Sequence, residues 1–550
     1  MHVDSRAKEV LRLGNSLFDA KRPIDSLNQE IALNFYSQRA TFTNIRAEGA
    51  ETANHLFSSY PERARQEFGN ALAEFLRPGN WFQIHVNDKK IDSGIAERRF
   101  LEMLTDIQWR AMTDSVTNII KATRQTDHDL SAFGNGVLKY GVNHDASALL
   151  FQNFHLRDAA WMENVKTQVD CMHLNWNPTA KTLVEKFGNK VSSTVKKLYD
   201  KEPYTRIPCR HVVMPSRLYS HKTKNGKEFK YSSLYLEIDS GVVLEDVGQK
   251  YFGYVVPRWQ TVSESVYGVS MATSVLLPDS RTLQVMMRTL REAGEKYVDP
   301  PMVAVMDAIR GDLALYAGGV TTADIEYDER LGDVLRPLTQ DRGAFPIGLD
   351  LAAALKEDIR SGFFLDKMQL PETSRVMTAT EVRRRIQEHI RAAAPISRPI
   401  QEEYNDPFCQ GVFDVLSAYG AFPLNEMPGS LDGKDIEFKF RSPLDQLEEQ
   451  NAAEVYIDVR DRILLPAAQI DPAQIANVDL TTATRAAMSA SGWKAEWFAP
   501  EENVAARHEQ TAQEAEAAKA MQQISMAGET AEQGSRGLDA VLKAETALEQ

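Results

Sequence analysis

Two amphipathic helices bracketing a glycine-studded insert constrain this chain more than any other feature. The first opens at Leu277-Pro-Asp-Ser-Arg-Thr-Leu, where a proline and an acid fall in the expected first turn. Leu283, Met286, Met287 and Leu290 carry it on to about Lys296, and Asp299-Pro300-Pro301 stops it. In the second, Leu351, Leu355, Ile359 and Phe363 recur every four residues and make one apolar stripe. Between them, residues 302–345 carry short apolar runs around Gly311, Gly318-Gly319 and Gly332, which predicts a small βαβ-like or hairpin module. Two helices of roughly 18 residues, about 27 Å each at 1.5 Å per residue, thus form a hairpin with a module at its tip.

The remaining chain reads as α+β, mainly helical. Residues 1–80 are expected to be helices, with Phe68, Leu72, Phe75 and Leu76 at helical spacing before Pro78-Gly79, and residues 97–130 look helical again. From Gly134 to about Trp259, short β-branched and aromatic runs between Gly, Asn and Pro predict antiparallel strands with interruptions. Asp435 to Pro443 is strand-like. From Glu501 the chain has ten acidic and four basic side chains and no aromatics, so it has little to bury. At 550 residues several packed units are expected, because one core stops growing at roughly 250–300 residues.

A net charge of −14 argues against a general polyanion-binding surface, since phosphate affinity comes from clustered Lys and Arg. No apolar stretch reaches the roughly 18 residues of a membrane span, and Met1-His-Val-Asp-Ser-Arg leads into charged sequence, so synthesis in the cytosol without membrane insertion is expected. Three scattered cysteines, Cys171, Cys209 and Cys409, make no disulfide framework.

Chemistry finds few anchors. There is no Gly-x-x-x-x-Gly-Lys-Ser/Thr phosphate loop, which disfavours an ATPase, and no Gly-x-Ser-x-Gly or His-Glu-x-x-His pattern. Cys171-Met-His173 and Cys209-Arg-His211 would supply four zinc-type ligands if their strands paired on one face, but alternation and a small buried cysteine explain them as well. Adjacent acids such as Glu402-Glu403 and Glu448-Glu449 diverge on a helix and read as a solvated face. Met377 to Arg391 is clearer: Thr378 and Glu381 form a capping box, Val382, Ile386, Ile390 and Ala394 an apolar stripe, and Arg383, Arg384 and Arg385 fan over the other faces.

Read together, these segments resemble the portal proteins, or head-to-tail connectors, of short-tailed double-stranded DNA bacteriophages. The likeness is carried by Phe133-Gly-Asn-Gly-Val-Leu, by Pro257-Arg-Trp259 with Val266-Tyr-Gly268 and the Leu277 segment, by Phe363-Phe-Leu-Asp366, and by Met377-Thr-Ala-Thr-Glu-Val with Arg385. Arg398-x-Ile-Gln-Glu402, Gly420-Ala-Phe-Pro423 and Ser442-Pro-Leu444 follow in the family's order.

The resemblance implies a portal fold assembled as a ring, commonly a dodecamer, at one capsid vertex. Its wing would be residues 1–275, its stem helices 276–297 and 346–366, its small α/β clip 298–345 and its tunnel loop 367–376. Residues 377–445 would be a long kinked helix and the return to the wing, and 446–550 a helical crown with the acidic tail. Lys367, Met368, Gln369 and Arg375 of the loop, with Lys356 and Arg360 of the second stem helix, are expected to face the DNA channel. Thr378, Glu381 and Arg383 to Arg385 are expected at the helix cap and subunit interface. Implied partners are double-stranded DNA, terminase, tail adaptor, capsid and scaffold proteins, with internal core proteins as a further partner. The expected place is the virion, after assembly in host cytoplasm. No enzymatic activity, cofactor or metal is expected. The competing readings are an internal core or scaffold protein and a metal-dependent DNA-processing enzyme.

Overall fold

The computed structural model describes chiefly residues 5–304, 335–337, 344–368, 398–440, 453–470 and 478–518, apart from scattered positions within those ranges. The chain divides into two compact units. One comprises Met1–Gln83, Thr105–Pro423 and Phe438–Leu447, the other Ile84–Leu104, Leu424–Glu437 and Glu448–Gln550.

The first unit opens with helices α1 (Ser5–Phe35) and α2 (Tyr60–Leu76). The helical stretch expected over 97–130 is two helices, Ile95–Thr113 and α3 (Ile119–Phe133), separated at Asn118, whose φ of +58° breaks the run. Besides a two-residue hairpin, Thr223–Lys224 with Lys227–Glu228, the strands that follow are β1 (Leu138–Val142), β2 (Leu149–Asn153), β3 (Ala159–Glu163), β4 (Val169–Trp176), β5 (Cys209–Pro215), β6 (Tyr231–Glu237), β7 (Val243–Gln249) and β8 (Tyr254–Val255). Strands β1 to β8 make a five-stranded antiparallel sheet in the order β7-β6-β5-β4-β3 and a three-stranded one in the order β8-β1-β2.

Among the interruptions expected between the strands are two helices that the sequence does not announce: α4 (Ala180–Phe187) and α5 (Ser193–Lys201). Each has its own N-cap, Thr179 accepting from the Thr182 amide and Ser192 from the Val195 amide. Both are short, so neither spans enough residues to outweigh the neighbouring strand pattern in a sequence window. Leu183, Phe187, Val191 and Val195 pack with Cys209 and Leu244 against one side of the large sheet. On the other side, Ala7, Val10 and Leu11 of α1 pack against Cys171, Val212, Leu234 and Leu236. Covered on both faces, the central strand β5 is buried along its whole length.

The hairpin helices are α6 (Met271–Val298) and α7 (Ala344–Gly362). Helix α6 starts six residues before the expected Leu277, because Ser270 is the true N-cap and accepts from the Thr273 amide. Pro278 therefore lies inside the helix rather than in its first turn. Of the insert between the helices, Met302–Ala304 pairs antiparallel with Leu335–Pro337, as a hairpin-like module requires, while most of it lies outside the described residues. After Gly362 a short helix, Leu365–Met368, follows, and α8 (Asp406–Ala418) brings Phe408, Val412 and Val415 back into the core.

In the second unit, Asp479 caps α9 (Leu480–Ala490) by accepting from the Thr481 and Thr482 amides. Lys434 pairs with Asp88, and Ser430 donates to Glu97. The strand expected over 435–443 is Ile436–Phe440, of which Ile436 and Glu437 belong to this unit and the rest to the first. Among the described residues no helix is long and apolar enough to cross a membrane.

Candidate functional site

The hairpin closes through two glycines. A Cβ on Gly362 would sit 2.5 Å from a methyl of Leu276, and one on Gly348 would sit 2.8 Å from a methyl of Leu290. The missing side chains let α7 lie close against α6 at two levels, 14 residues or about 21 Å apart along the helix. The apolar stripes change character along this length. Leu283, Ile359 and Phe363 are fully buried, Met287, Leu290 and Leu355 half-buried, and Leu351 is 51% exposed. Val285 at 67% and Ile347 at 68% exposure extend this apolar surface. The inner end of the hairpin is packed within the chain apart from the exposed Val275, and its middle and outer half leave apolar side chains facing solvent.

The inner end is held by an anchor built from segments far apart in sequence. Helix α3 ends at Gly134, in the left-handed region at φ +68°, leaving its last carbonyls to be capped. The start of α6 supplies the caps: the Ser270 hydroxyl donates to the Ser131 carbonyl at 3.0 Å, and the Thr273 hydroxyl to the Ala132 carbonyl at 2.7 Å. Asn135 donates to the Phe133 and Gly268 carbonyls and accepts from the Gly268 amide at 2.7 Å. Backbone bonds from Trp259 to Gly134 and from Gly136 to Pro257 complete the knot. Every sequence motif around residues 133–136, 257–259 and 266–268 thus meets here.

Arg258 fills the centre of the anchor with a side chain only 2% exposed. Its guanidinium holds Glu403 through two bonds of 2.9 and 3.1 Å, pairs with Glu163, and donates to the Thr167 and Val266 carbonyls. The apparent acid pair Glu402-Glu403 is therefore split in role, Glu403 serving as a counter-ion while Glu402 is exposed. Around the anchor, Trp259 lies against Phe68 and Phe364, and Phe363 makes an edge contact with Phe35 at 5.6 Å. Phe364 adopts φ +56°, a left-handed helix stop that usually takes glycine. The strain is on the order of 1 kcal/mol and is offset by the ring's packing.

Buried ion pairs tie neighbouring elements in the same way. Arg39 holds Asp129 with two bonds of 3.0 and 2.7 Å and also reaches Asn153. Arg77 pairs with Asp127 and reaches Asn405, whose amide returns to the Leu76 carbonyl. These arginines point inward and hold neighbouring elements together.

Of the residues expected to face DNA, Lys356 lies half-buried on α7, and exposed Arg360 pairs with Asp366 at 3.2 Å. Lys367 and Met368 belong to the short helix after Phe364, but their side chains are outside the described residues. So are Gln369, Arg375, Thr378, Glu381, Arg383, Arg384 and Arg385.

The Cys/His pattern is resolved by register. Strands β4 and β5 do pair, with Leu174 opposite His211 and Trp176 opposite Cys209. Residues directly opposite share a face, so Cys209 and His211 share theirs with Leu174 and Trp176, and Cys171 and His173 lie on the other. The four side chains cannot surround one ion. Burial also pushes the Cys171 and Cys209 thiols up to about 12, which keeps them protonated.

His173 instead sits against α1, where neither ring nitrogen has a hydrogen-bond partner. Burial, with Arg210 nearby, pushes it down to about 3. Unfolded, it would titrate near about 6.5, so its contribution is complete above that pH and is lost as pH falls toward 3. At pH 5 this amounts to about 2 kcal/mol. His173→Gln should therefore lose about 2 kcal/mol less than the parent protein between pH 8 and pH 5 in urea unfolding. Identical losses in the two proteins would refute a neutral buried histidine.

A family model described as bacteriophage head to tail connecting protein matches residues 7–498. A probable portal protein of Bordetella phage BPP-1 is 24% identical over 421 residues, covering 74% of this chain and 73% of that protein. The portal protein of Salmonella phage epsilon15 is 24% identical over 418 residues, with the same coverage. Among solved structures, a chain from the virion of a native gene transfer agent particle aligns over 79% of this chain and 95% of its own, at 9% identity and a TM-score of 0.35, too low to bear on the architecture.

Proposed function

The chain belongs to the bacteriophage head-to-tail connecting proteins, and from that premise we propose that it is a portal subunit whose ring forms the channel for packaging and ejecting double-stranded DNA. The observation that carries this reading is the helical hairpin, anchored through Arg258 and Gly134 at its inner end and apolar toward solvent at its outer end. A lone chain gains nothing from exposing Val285, Ile347 and Leu351, whereas repeated copies around an axis would bury them against each other.

In this reading α6 and α7 are the stem, the insert between them the clip, and residues 367–376 the tunnel loop. Lys367 and Arg375 are the channel-facing cations, and Arg360 has a weaker claim because Asp366 already neutralises it. A ring of twelve would carry a charge of roughly −170, which with a few basic loops suits a passage that must not grip its cargo. The role is mechanical, with terminase, tail adaptor and capsid proteins as partners. A DNA-processing enzyme is less well supported, because the Cys/His pairs face apart and Glu403 is committed to Arg258.

Negative-stain imaging of the purified protein tests the proposal. A ring of about twelvefold symmetry with an axial hole is expected, and a persistent monomer under capsid-assembly conditions would overturn it. Replacing Lys367 and Arg375 by alanine should leave rings intact and change DNA packaging or retention. Unassembled subunits in that variant would assign the two residues to an interface instead.

A further inference from the structure

Strands of both sheets in the first unit wall a cavity of roughly 900 Å³, distinct from the anchor and the hairpin. Lys139 on β1 and Lys186 on α4 both reach it. The Lys139 ammonium lies 3.3 Å from the Tyr235 hydroxyl and within 6 Å of the Tyr235 and Tyr254 rings. The Lys186 ammonium stands 4.2 Å from the Tyr235 ring centroid, at the exposed mouth. His211 stacks on Tyr235 at 4.1 Å and bonds to the Tyr254 and Ser233 hydroxyls, so its nitrogens are occupied and it remains neutral. Glu245 is the nearby acid, yet neither lysine forms an ion pair among the described residues. Two convergent cations without an ion-paired carboxylate are costly to hold at a half-buried site. Burial first, and then Lys186, already push Lys139 down to about 8.

We propose that this cavity binds a nucleoside monophosphate, with its phosphate between Lys139 and Lys186 and its base against the aromatic wall. Three features converge on that class. The volume is that of a small-ligand site. Two ammonium groups supply the charge-assisted donors a phosphate requires. Tyr235, Tyr251 and Phe252, half-buried on the cavity wall, offer ring surface, and Gln152 and Gln249 bring amides able to read a base edge. An inorganic anion would use the lysines and leave the aromatic wall bare, and an uncharged ring compound would leave the cations uncompensated.

Calorimetric titration of the full-length protein at pH 7 with dAMP, with inorganic phosphate and deoxyadenosine as separate titrants, tests this. Binding of dAMP at least tenfold tighter than either fragment is expected. Lys139→Met and Lys186→Met should each weaken it at least tenfold, while Lys196→Met, on the exposed face of α5, should not. Should Lys139→Met fold poorly, Lys186→Met at the mouth still decides the outcome. Absence of dAMP binding at millimolar concentration, phosphate binding as tightly as dAMP, or binding insensitive to Lys186→Met would each overturn the assignment.

Discussion

Gly134→Ala is expected to collapse the anchor, lowering the stability of the first unit by about 3 kcal/mol or more. The added methyl carbon would stand 2.2 Å from the Ser270 amide nitrogen and 2.2 Å from the Val269 carbonyl carbon. Both are backbone atoms at the entry to α6, so no rotamer change can make room. Relief requires pulling α6 away from α3, which breaks the Ser270 and Thr273 caps as well. Gly420→Ala supplies the control, because Gly420 has a similar φ of +71° with open space around it. That variant should lose only the backbone contribution, about 1 kcal/mol. Urea unfolding of the two variants beside the parent protein separates clash from conformation, and equal losses would remove the close approach as the cause.

The second large effect is expected at Arg258. Arg258→Ala strands Glu163 and Glu403 and leaves the Thr167 and Val266 carbonyls without their donor. Arg258 is buried, but the carboxylates left behind are 19% and 37% exposed and water screens them, so the loss should be about 2 kcal/mol, from the charge-assisted bonds and the two stranded carbonyls. Neutralising the carboxylates should still help: Arg258→Met combined with Glu163→Gln and Glu403→Gln should recover part of the loss. A single variant losing less than about 1 kcal/mol would show that the guanidinium is not what joins these segments. Because the anchor sets where the hairpin leaves the core, both variants should also lower the yield of rings if the chain assembles as proposed.

Much of the architecture was legible because it rests on local periodicity. The stripe Leu351, Leu355, Ile359, Phe363 announces a helix on its own, and the Pro and Gly residues on either side of the insert announce its limits. Helix ends were less legible. Ser270 caps α6 well before the segment that looks most like a helix start, since a proline is tolerated inside a long packed helix and mimics a first turn elsewhere. Helices α4 and α5 escaped notice because eight or nine residues between strands give too short a pattern. The anchor residues were visible as motifs, yet nothing in their spacing said that Asn135, Arg258 and Gly268 would meet.

By itself the sequence determined the types of the longer elements, the hairpin with its insert and, through collinear motifs, the family. These depend on neighbours within a few turns of chain, or on residue order alone. The tertiary structure decided which faces meet. Pairing Leu174 with His211 put the two Cys/His pairs on opposite sides of one sheet, and a shift of one residue would have put them on the same side. It also decided that Arg258 and Glu403, 145 residues apart, form the centre of the anchor. A charge has no periodicity from which its partner can be read, and only the packed fold, by excluding water, makes that partner obligatory.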